Sequence, residues 1–188
     1  MNHQKEVKRD AGDGILPISL PAIDNSTFEL ESMKGKRYML SFFRFASCPF
    51  CNLRLHELVK RHNELGEEFG IVAIFDSPLD NLQQHADGHH APFPILADED
   101  NRYYREYAIE HSVVGVFKGM ILRMPTLIKG ILKGYVPTTI KGSMTTMPAD
   151  FLVDENGTIQ LAHYGHDEGD HLSFEKVKAF ALKGYLRK

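Results

Sequence analysis

The chain has 188 residues, 43% of them hydrophobic and 25% charged, with a net charge near −3 at pH 7. That length suits one domain with a sizeable core, and the composition is that of an ordinary globular protein. The slight acidity argues against a nucleic-acid or acidic-lipid role for the chain as a whole, and no apolar run reaches the ~20 residues of a membrane span.

The start, Met1-Asn2-His3-Gln4-Lys5-Glu6, has no apolar segment of the kind a secretory leader needs, so a cytoplasmic address is expected. Residues 1–13 read as a mobile arm or a short helix. From residue 16 to 30, Pro17, Pro21 and Asp24-Asn25-Ser26 punctuate short extended pieces, which predicts an N-terminal hairpin. Lys34-Gly35-Lys36 is the turn before a strand over 38–44, where six of seven residues are apolar, aromatic or small, as in a central strand covered on both faces.

That strand runs through a short loop into Cys48-Pro49-Phe50-Cys51, which holds the chain's two cysteines. Beyond it, Leu53, Leu55, Leu58, Val59 and Leu65 recur at helical spacing, with charged residues between them and Gly66 and Gly70 as stop signals. Cys48 falls at or just before the first helical turn, where unpaired N–H groups and the helix dipole favour a thiolate. Pro49 suits the first helical position, and Cys51 lies three residues on, on the same face and within disulfide reach. The expectation is that Cys48 attacks and Cys51 resolves. Two inert buried thiols are the plainer reading, but C-x-x-C between strand and helix is a redox motif. A structural zinc site would want two further ligands, so no metal or cofactor is expected.

Residues 71–75 form a second buried strand, and a helix is expected from Pro78 to about Ala86 with Ser77 as its N-cap. A short strand over 93–98 and a helix over 100–109 follow. Residues 148–153 and 158–163 flank Asp154-Glu155-Asn156-Gly157, a strong hairpin signal, and a helix over 173–182 closes the chain. Strands alternating with helices indicate an α/β layer fold, to which the terminal hairpin adds antiparallel strands.

This order, from the proline-rich entry and the Lys-Gly-Lys strand to Asp154–Gly157, resembles the AhpC/TSA peroxiredoxin-like branch of the thioredoxin-fold superfamily, over residues 15–110 and 146–183. It is most similar to the subgroup carrying a C-P-F-C pair, a dipeptide that also resembles glutaredoxins. The resemblance implies a three-layer thioredoxin-like fold with a central mixed sheet, in a single domain. It also implies an antioxidant, thiol-based oxidoreductase with a redox-active disulfide, acting on a peroxide or disulfide substrate and recharged by a thioredoxin- or glutathione-type thiol donor. Two departures stand out. The family's proline and threonine before the peroxidatic cysteine fall on Ser41 and Phe45, and its arginine falls on Pro148. Met147-Pro148 instead resembles the cis-proline of thioredoxins. Pro49, Phe50, Met147 and Pro148 are therefore the expected substrate-contact residues, with a cis bond before Pro148. Arg44, four residues before Cys48, is the candidate replacement for the missing donors, since a fixed cation there would lower the thiol pKa.

Residues 111–146 lie outside the resemblance and are expected to form a helical insertion. Val113, Val116, Phe117, Met120, Ile121 and Met124 make one apolar stripe, and Leu127, Ile128, Ile131, Leu132 and Tyr135 a second. Five basic residues occur there with no acid between Glu110 and Asp150. A helical hairpin packed on the body is the leading expectation; a lid beside the redox site and membrane-surface binding are the lesser ones. Histidines cluster at 85, 89 and 90 and at 163, 166 and 171, beside Asp167, Glu168 and Asp170, and read as solvated loops. Thiol peroxidase and thiol–disulfide oxidoreductase are the two leading functions. A non-enzymatic redox-sensing module that binds a partner through the basic insertion is the third. The oligomeric state is left open.

Overall fold

The computed structural model describes residues 7–136 and 140–184. Its centre is a five-stranded mixed sheet. Arg37–Phe43 (β3) lies in the middle, parallel to Phe69–Phe75 (β4), which is in turn parallel to Ile95–Ala97 (β5). On its other side β3 runs antiparallel to Ala149–Val153 (β6), and β6 to Ile159–Tyr164 (β7), giving the order β5-β4-β3-β6-β7. Ser19–Pro21 (β1) and Thr27–Glu29 (β2) form the separate N-terminal hairpin.

The period-two alternation of β3 sorts its side chains into two cores. Met39 and Phe43 point into a cluster with Leu55 and Leu58 of helix Pro49–Arg61 (α1), Leu82 of Leu79–Ala86 (α2), and Val177 and Phe180 of the C-terminal helix Phe174–Lys183. Tyr38, Leu40 and Phe42 point the other way, onto Ile18, Leu20 and the tyrosines Tyr103, Tyr104 and Tyr107. The first two of these tyrosines lie on the short helix Arg102–Glu106 (α3), and the third follows it. Because β3 is buried on both faces, its position along the sheet is strongly specified. The Tyr104 hydroxyl reinforces this by donating to the Phe43 carbonyl at 2.5 Å, with the Ile74 carbonyl at 3.0 Å. It therefore ties the ends of β3 and β4 together beside the loop that leads to the cysteines.

Several expectations are corrected. Within the expected mobile arm, residues 1–6 lie outside the described residues. Residues 8–13 are tied down: Gly12 N–H donates to the Ile159 carbonyl, Arg9 N–H to the Tyr164 hydroxyl, and Lys8 pairs with Glu110. The helix expected over 100–109 covers only 102–106, because the buried Asp98 carboxylate accepts the first N–H groups and Ala108 turns left-handed at φ 49°. Ser77 does not cap α2. Pro78 holds that position, while the Ser77 hydroxyl accepts from Ala46 N–H and reaches the Lys141 carbonyl.

The insertion contains Val113–Leu122 (α4) and Met124–Leu132 (α5), so the closing helix is α6. Their orientation reverses the expected packing. The residues they bury are Gly115, Gly119 and Gly130. Val113, Phe117, Met120, Ile121, Met124, Ile128, Ile131 and Leu132 of the two apolar stripes are exposed, whereas Leu127 touches the core. Small residues let the helix backbones come closer to the body than a face of large side chains would.

One polar group interrupts the core. Asp150 of β6, opposite Ser41 of β3, is fully buried and accepts from the Ser41 hydroxyl (2.5 Å), the Leu172 N–H (2.7 Å) and the His171 ring (3.1 Å). Burial alone would raise its pKa. His171, the Ser41 hydroxyl and Arg54 reverse that and hold it below the usual carboxylate range. A depressed carboxyl pKa stabilises the fold above the unfolded value of ~3.9, and this contribution is lost as pH falls through the lower folded value. Asp150→Asn should therefore lower stability at neutral pH by about 2 kcal/mol. Urea unfolding should show the loss with an unchanged denaturant dependence. Between about pH 4 and 2 the variant should also lose less stability than the wild type.

Candidate active site

Cys48 sits where β3, the 44–47 loop and α1 meet. It is the N-cap of α1, with extended backbone (φ −65°, ψ 122°), and Pro49 follows in the first turn. The carbonyl of Cys48 accepts from Asn52 N–H, and its own N–H donates to the Phe45 carbonyl. The buried Asn52 amide donates to the carbonyls of Ala46 (2.8 Å) and Cys48 (3.0 Å), and its oxygen meets His89 Nε2 at 2.9 Å. One side chain thus fixes both ends of the loop, so the thiol is held by packing and not by a mobile turn.

Both sulfurs are fully buried. Arg44 Nη1 donates to Cys48 Sγ at 3.4 Å, and Arg44 N–H donates to Cys51 Sγ at 3.4 Å. Burial by itself would push the Cys48 thiol up. The Cys51 thiol that donates to it, the Arg44 charge and the backbone N–H groups of Cys51 and Phe50 outweigh burial and bring it down to about 6. For Cys51, burial and the neighbouring Cys48 sulfur both push the pKa well up. The surroundings thus favour the ionised form at Cys48 and the protonated form at Cys51.

The Arg44 guanidinium is 4% exposed and has no freedom to wander. Its Nε donates to the Thr146 carbonyl at 2.9 Å and its Nη2 to the Met144 carbonyl. Both carbonyls lie on the returning limb of the insertion, which the buried Asp76 anchors by accepting from the Thr146 hydroxyl at 2.6 Å and from Ser143 N–H at 3.0 Å. Above this, α4 and α5 close over the site. A Cβ at Gly119 would lie 1.5 Å from Glu168 Oε2, and one at Gly130 would lie 3.0 Å from Pro49 Cβ.

Glu168 is 1% exposed, and its Oε2 has no hydrogen-bond partner among the described residues. Burial raises its pKa, with Asp167 and the Cys48 thiolate adding to the rise and Arg44 opposing it. Nothing in the sequence marked this residue out, since His166-Asp167-Glu168-Gly169-Asp170 reads as a solvated loop. The same loop hid His171, which is stacked on Phe43 at 4.9 Å and bonded to Asp150. His89 is likewise no solvated residue. It stacks on Tyr135 and bonds Asn52, and burial, followed by the neighbouring His56, lowers its pKa to about 4.

Of the expected substrate-contact residues, Pro49, Phe50, Met147 and Pro148 are all buried. The Met147–Pro148 bond is trans, which corrects the expected cis-proline. On either side of this bond the backbone is paired, Met147 N–H donating to the Glu110 carbonyl and the Pro148 carbonyl accepting from Gly165 N–H. A groove of about 720 Å³ between α1 and α5 passes Phe50, Leu53, Arg123 and Lys129, but neither cysteine lines it.

A dithiol with one sulfur ionised beside a fixed cation and the other protonated can give up two electrons and close to a disulfide. Fold and site together define a thiol redox protein. The model of the AhpC/TSA family matches residues 11–162, and the chain belongs to that family. Among solved structures it is similar to the peroxidoxin BcpB of Mycobacterium tuberculosis (14% identity, 95% of this chain and 99% of that one, TM-score 0.68). It is also similar to a thiol peroxidase of Chromobacterium violaceum (14%, 95% and 89%, TM-score 0.66). A third likeness is to a putative thiol:disulfide interchange protein DsbE of Chlorobium tepidum (20%, 92% and 98%, TM-score 0.59). At these identities the likeness is one of fold. No curated protein matches the sequence.

The thiolate assignment has a direct readout. Thiolate absorbance near 240 nm should titrate with a midpoint near pH 6 in the reduced protein. Arg44→Met should move that midpoint upward, towards the ~8.5 of a free thiol. An unmoved midpoint would show that Arg44 does not hold the charge.

Proposed function

We propose that this protein is a thiol-dependent peroxidase in which Cys48 is the peroxidatic residue, Cys51 the resolving residue and Arg44 the relocated electrophilic donor. The observation that carries this reading is the fully buried Cys48 sulfur held 3.4 Å from a guanidinium whose other nitrogens are tied to backbone carbonyls. A preorganised donor of this kind polarises a peroxide without having to reorganise as charge develops. A protein disulfide, by contrast, needs an open groove beside the attacking sulfur, and Met147 and Pro148, where such a groove was expected, are buried.

In the proposed cycle the Cys48 thiolate attacks the distal oxygen of ROOH. A sulfur–oxygen bond forms, the oxygen–oxygen bond breaks, and the alkoxide leaves as an alcohol after taking a proton. The Cys51 sulfur then attacks the Cys48 sulfenic acid, water leaves, and the disulfide closes. An external thiol donor of the thioredoxin or glutathione class returns two electrons through exchange at this disulfide. A cytoplasmic setting, where such donors keep thiols reduced, suits the cycle. The insertion, residues 111–146, acts as a lid on a single domain, since its base carries the carbonyls that position Arg44.

Two tests follow. Stopped-flow oxidation of the reduced protein by hydrogen peroxide should be fast in the wild type and fall by about 10²–10³ in Arg44→Met, the cost of losing one such donor. Arg44→Lys should recover only part of the rate, because an ammonium lacks the planar fork. A slow wild-type reaction together with rapid exchange against a protein disulfide would replace the peroxidase reading with thiol–disulfide exchange. For the lid, Gly119→Leu should displace α4 from Glu168 and speed iodoacetamide labelling of Cys48 in a protein that keeps its far-ultraviolet circular dichroism. Unchanged labelling would remove the lid.

A further inference from the structure

Ten of the fifteen large hydrophobic side chains exposed among the described residues lie within the twenty residues of α4 and α5 and their junction, 113–132. Val114, Phe117 and Leu122 are each at least 64% exposed on α4, and Leu132 is 82% exposed on α5. Such a concentration is unusual on a lone globular surface and marks an interaction site. It is not a face left over from poor packing. The inner sides of the same helices are committed to the body through Gly115, Gly119 and Gly130, so the large side chains have no inward alternative.

The hairpin's own charged residues are all of one sign. No acidic residue occurs between Glu110 and Asp150. Arg123 is paired with Asp167 at 2.6 Å and Lys141 with Asp80 at 3.1 Å. Lys118, Lys129 and Lys133 are exposed, and among the described residues none has a carboxylate partner. At ten and nine residues, α4 and α5 are about 15 and 14 Å long, half the ~30 Å of a bilayer's hydrocarbon core. Among the described residues no helix is long and apolar enough to cross a membrane. Short helices with an apolar face of Phe, Leu, Ile and Val and a purely basic fringe suit the plane of an anionic interface, where the lysine stems can lie along the apolar surface with their heads in the phosphate layer.

We infer that the α4–α5 hairpin docks this protein on the surface of an anionic lipid bilayer. A symmetric pairing with a second copy fits the face less well, because it would bring unpaired lysines together with no acid on either hairpin to meet them. Docking would leave Cys48 one helix layer, about 10 Å, from the lipid. The inference rests on the outer face alone and does not depend on which thiol chemistry the inner face performs.

The test is co-sedimentation of the full-length reduced protein with vesicles of pure phosphatidylcholine and of phosphatidylcholine mixed with phosphatidylglycerol, at low and at physiological salt, alongside light scattering without vesicles. The wild type should bind the mixed vesicles, bind pure phosphatidylcholine far more weakly, and lose affinity as salt rises. Replacing Lys118, Lys129 and Lys133 by Gln should weaken binding by about fivefold per lysine. Phe117→Ser with Ile121→Ser should abolish it. All five side chains face solvent, so both variants should keep the wild-type circular dichroism and thiolate titration. No binding to the mixed vesicles at low salt would overturn the inference. So would equal binding by the lysine variant. A concentration-dependent dimer that disappears in the Phe117→Ser/Ile121→Ser variant, with no vesicle binding, would reassign the face to self-association. A monomer that binds neither vesicle would assign it to a protein partner.

Discussion

A buried guanidinium is costly unless an anion and hydrogen-bond acceptors meet it, and Arg44 sets the terms for everything around it. Its anion is the Cys48 thiolate, and its acceptors are the carbonyls of Met144 and Thr146. The requirement is mutual. The thiolate is favoured in a closed, apolar site by the Cys51 thiol that donates to it and by the cation, and the cation can be buried because the thiolate and two carbonyls are there. Oxidation to the Cys48–Cys51 disulfide removes the anion while the guanidinium stays in place. The two carbonyls then carry the compensation, together with the nearby Glu168 carboxyl, whose raised pKa reflects burial beside the thiolate. Chemistry at sulfur and the seating of residues 144–146 thus draw on the same small set of contacts.

The three positions where the chain departs from the AhpC/TSA pattern have become structural. Ser41 donates to the buried Asp150, Phe45 is buried beside the Arg44 guanidinium at 5.2 Å, and Pro148 lies in the segment entering β6. With threonine and arginine absent from their usual places, the guanidinium beside the Cys48 sulfur comes from the end of β3, four residues before the cysteine. The strand itself aims that side chain. Tyr104 pins the Phe43 carbonyl immediately before Arg44, and the two-sided burial of β3 allows no slip that would turn the arginine away.

The features legible in the sequence were those carried by local pattern. The run 38–44 is too apolar for anything but a covered strand. Cys-Pro-Phe-Cys after it declares a helix start, and Asp154-Glu155-Asn156-Gly157 declares a hairpin. Arg44 was legible as well, because spacing alone brought it within reach of Cys48. The features that were hidden depend on residues brought together across the fold. His171 and Asp150 are 21 positions apart and meet only where the chain returns past β6 after β7. Glu168 sits in a loop whose composition is that of solvent-exposed chain, and its burial comes from a helix 49 residues upstream whose glycine admits it. The apolar stripes point outward for a related reason. A periodic face of large side chains normally points inward, and period alone cannot distinguish that case from a helix that packs through its glycines.

This inversion has an energetic consequence for the insertion. Helices of nine or ten residues are marginal by themselves and usually gain stability by burying a large apolar face. The described residues of α4 and α5 bury little beyond three glycines and part of Leu127. Along its length the hairpin is held by the Arg123–Asp167 pair and the stacking of Tyr135 on His89, and a further set of contacts lies at its base. Ser112 N–H donates to the Thr145 carbonyl and caps α4 by accepting from Gly115 N–H, Met147 N–H donates to the Glu110 carbonyl, and Asp76 grips Ser143 and Thr146. Segments with little buried apolar surface open most easily. The base is also where Arg44 takes its two carbonyls, so the seating of the hairpin and the position of the guanidinium depend on the same residues.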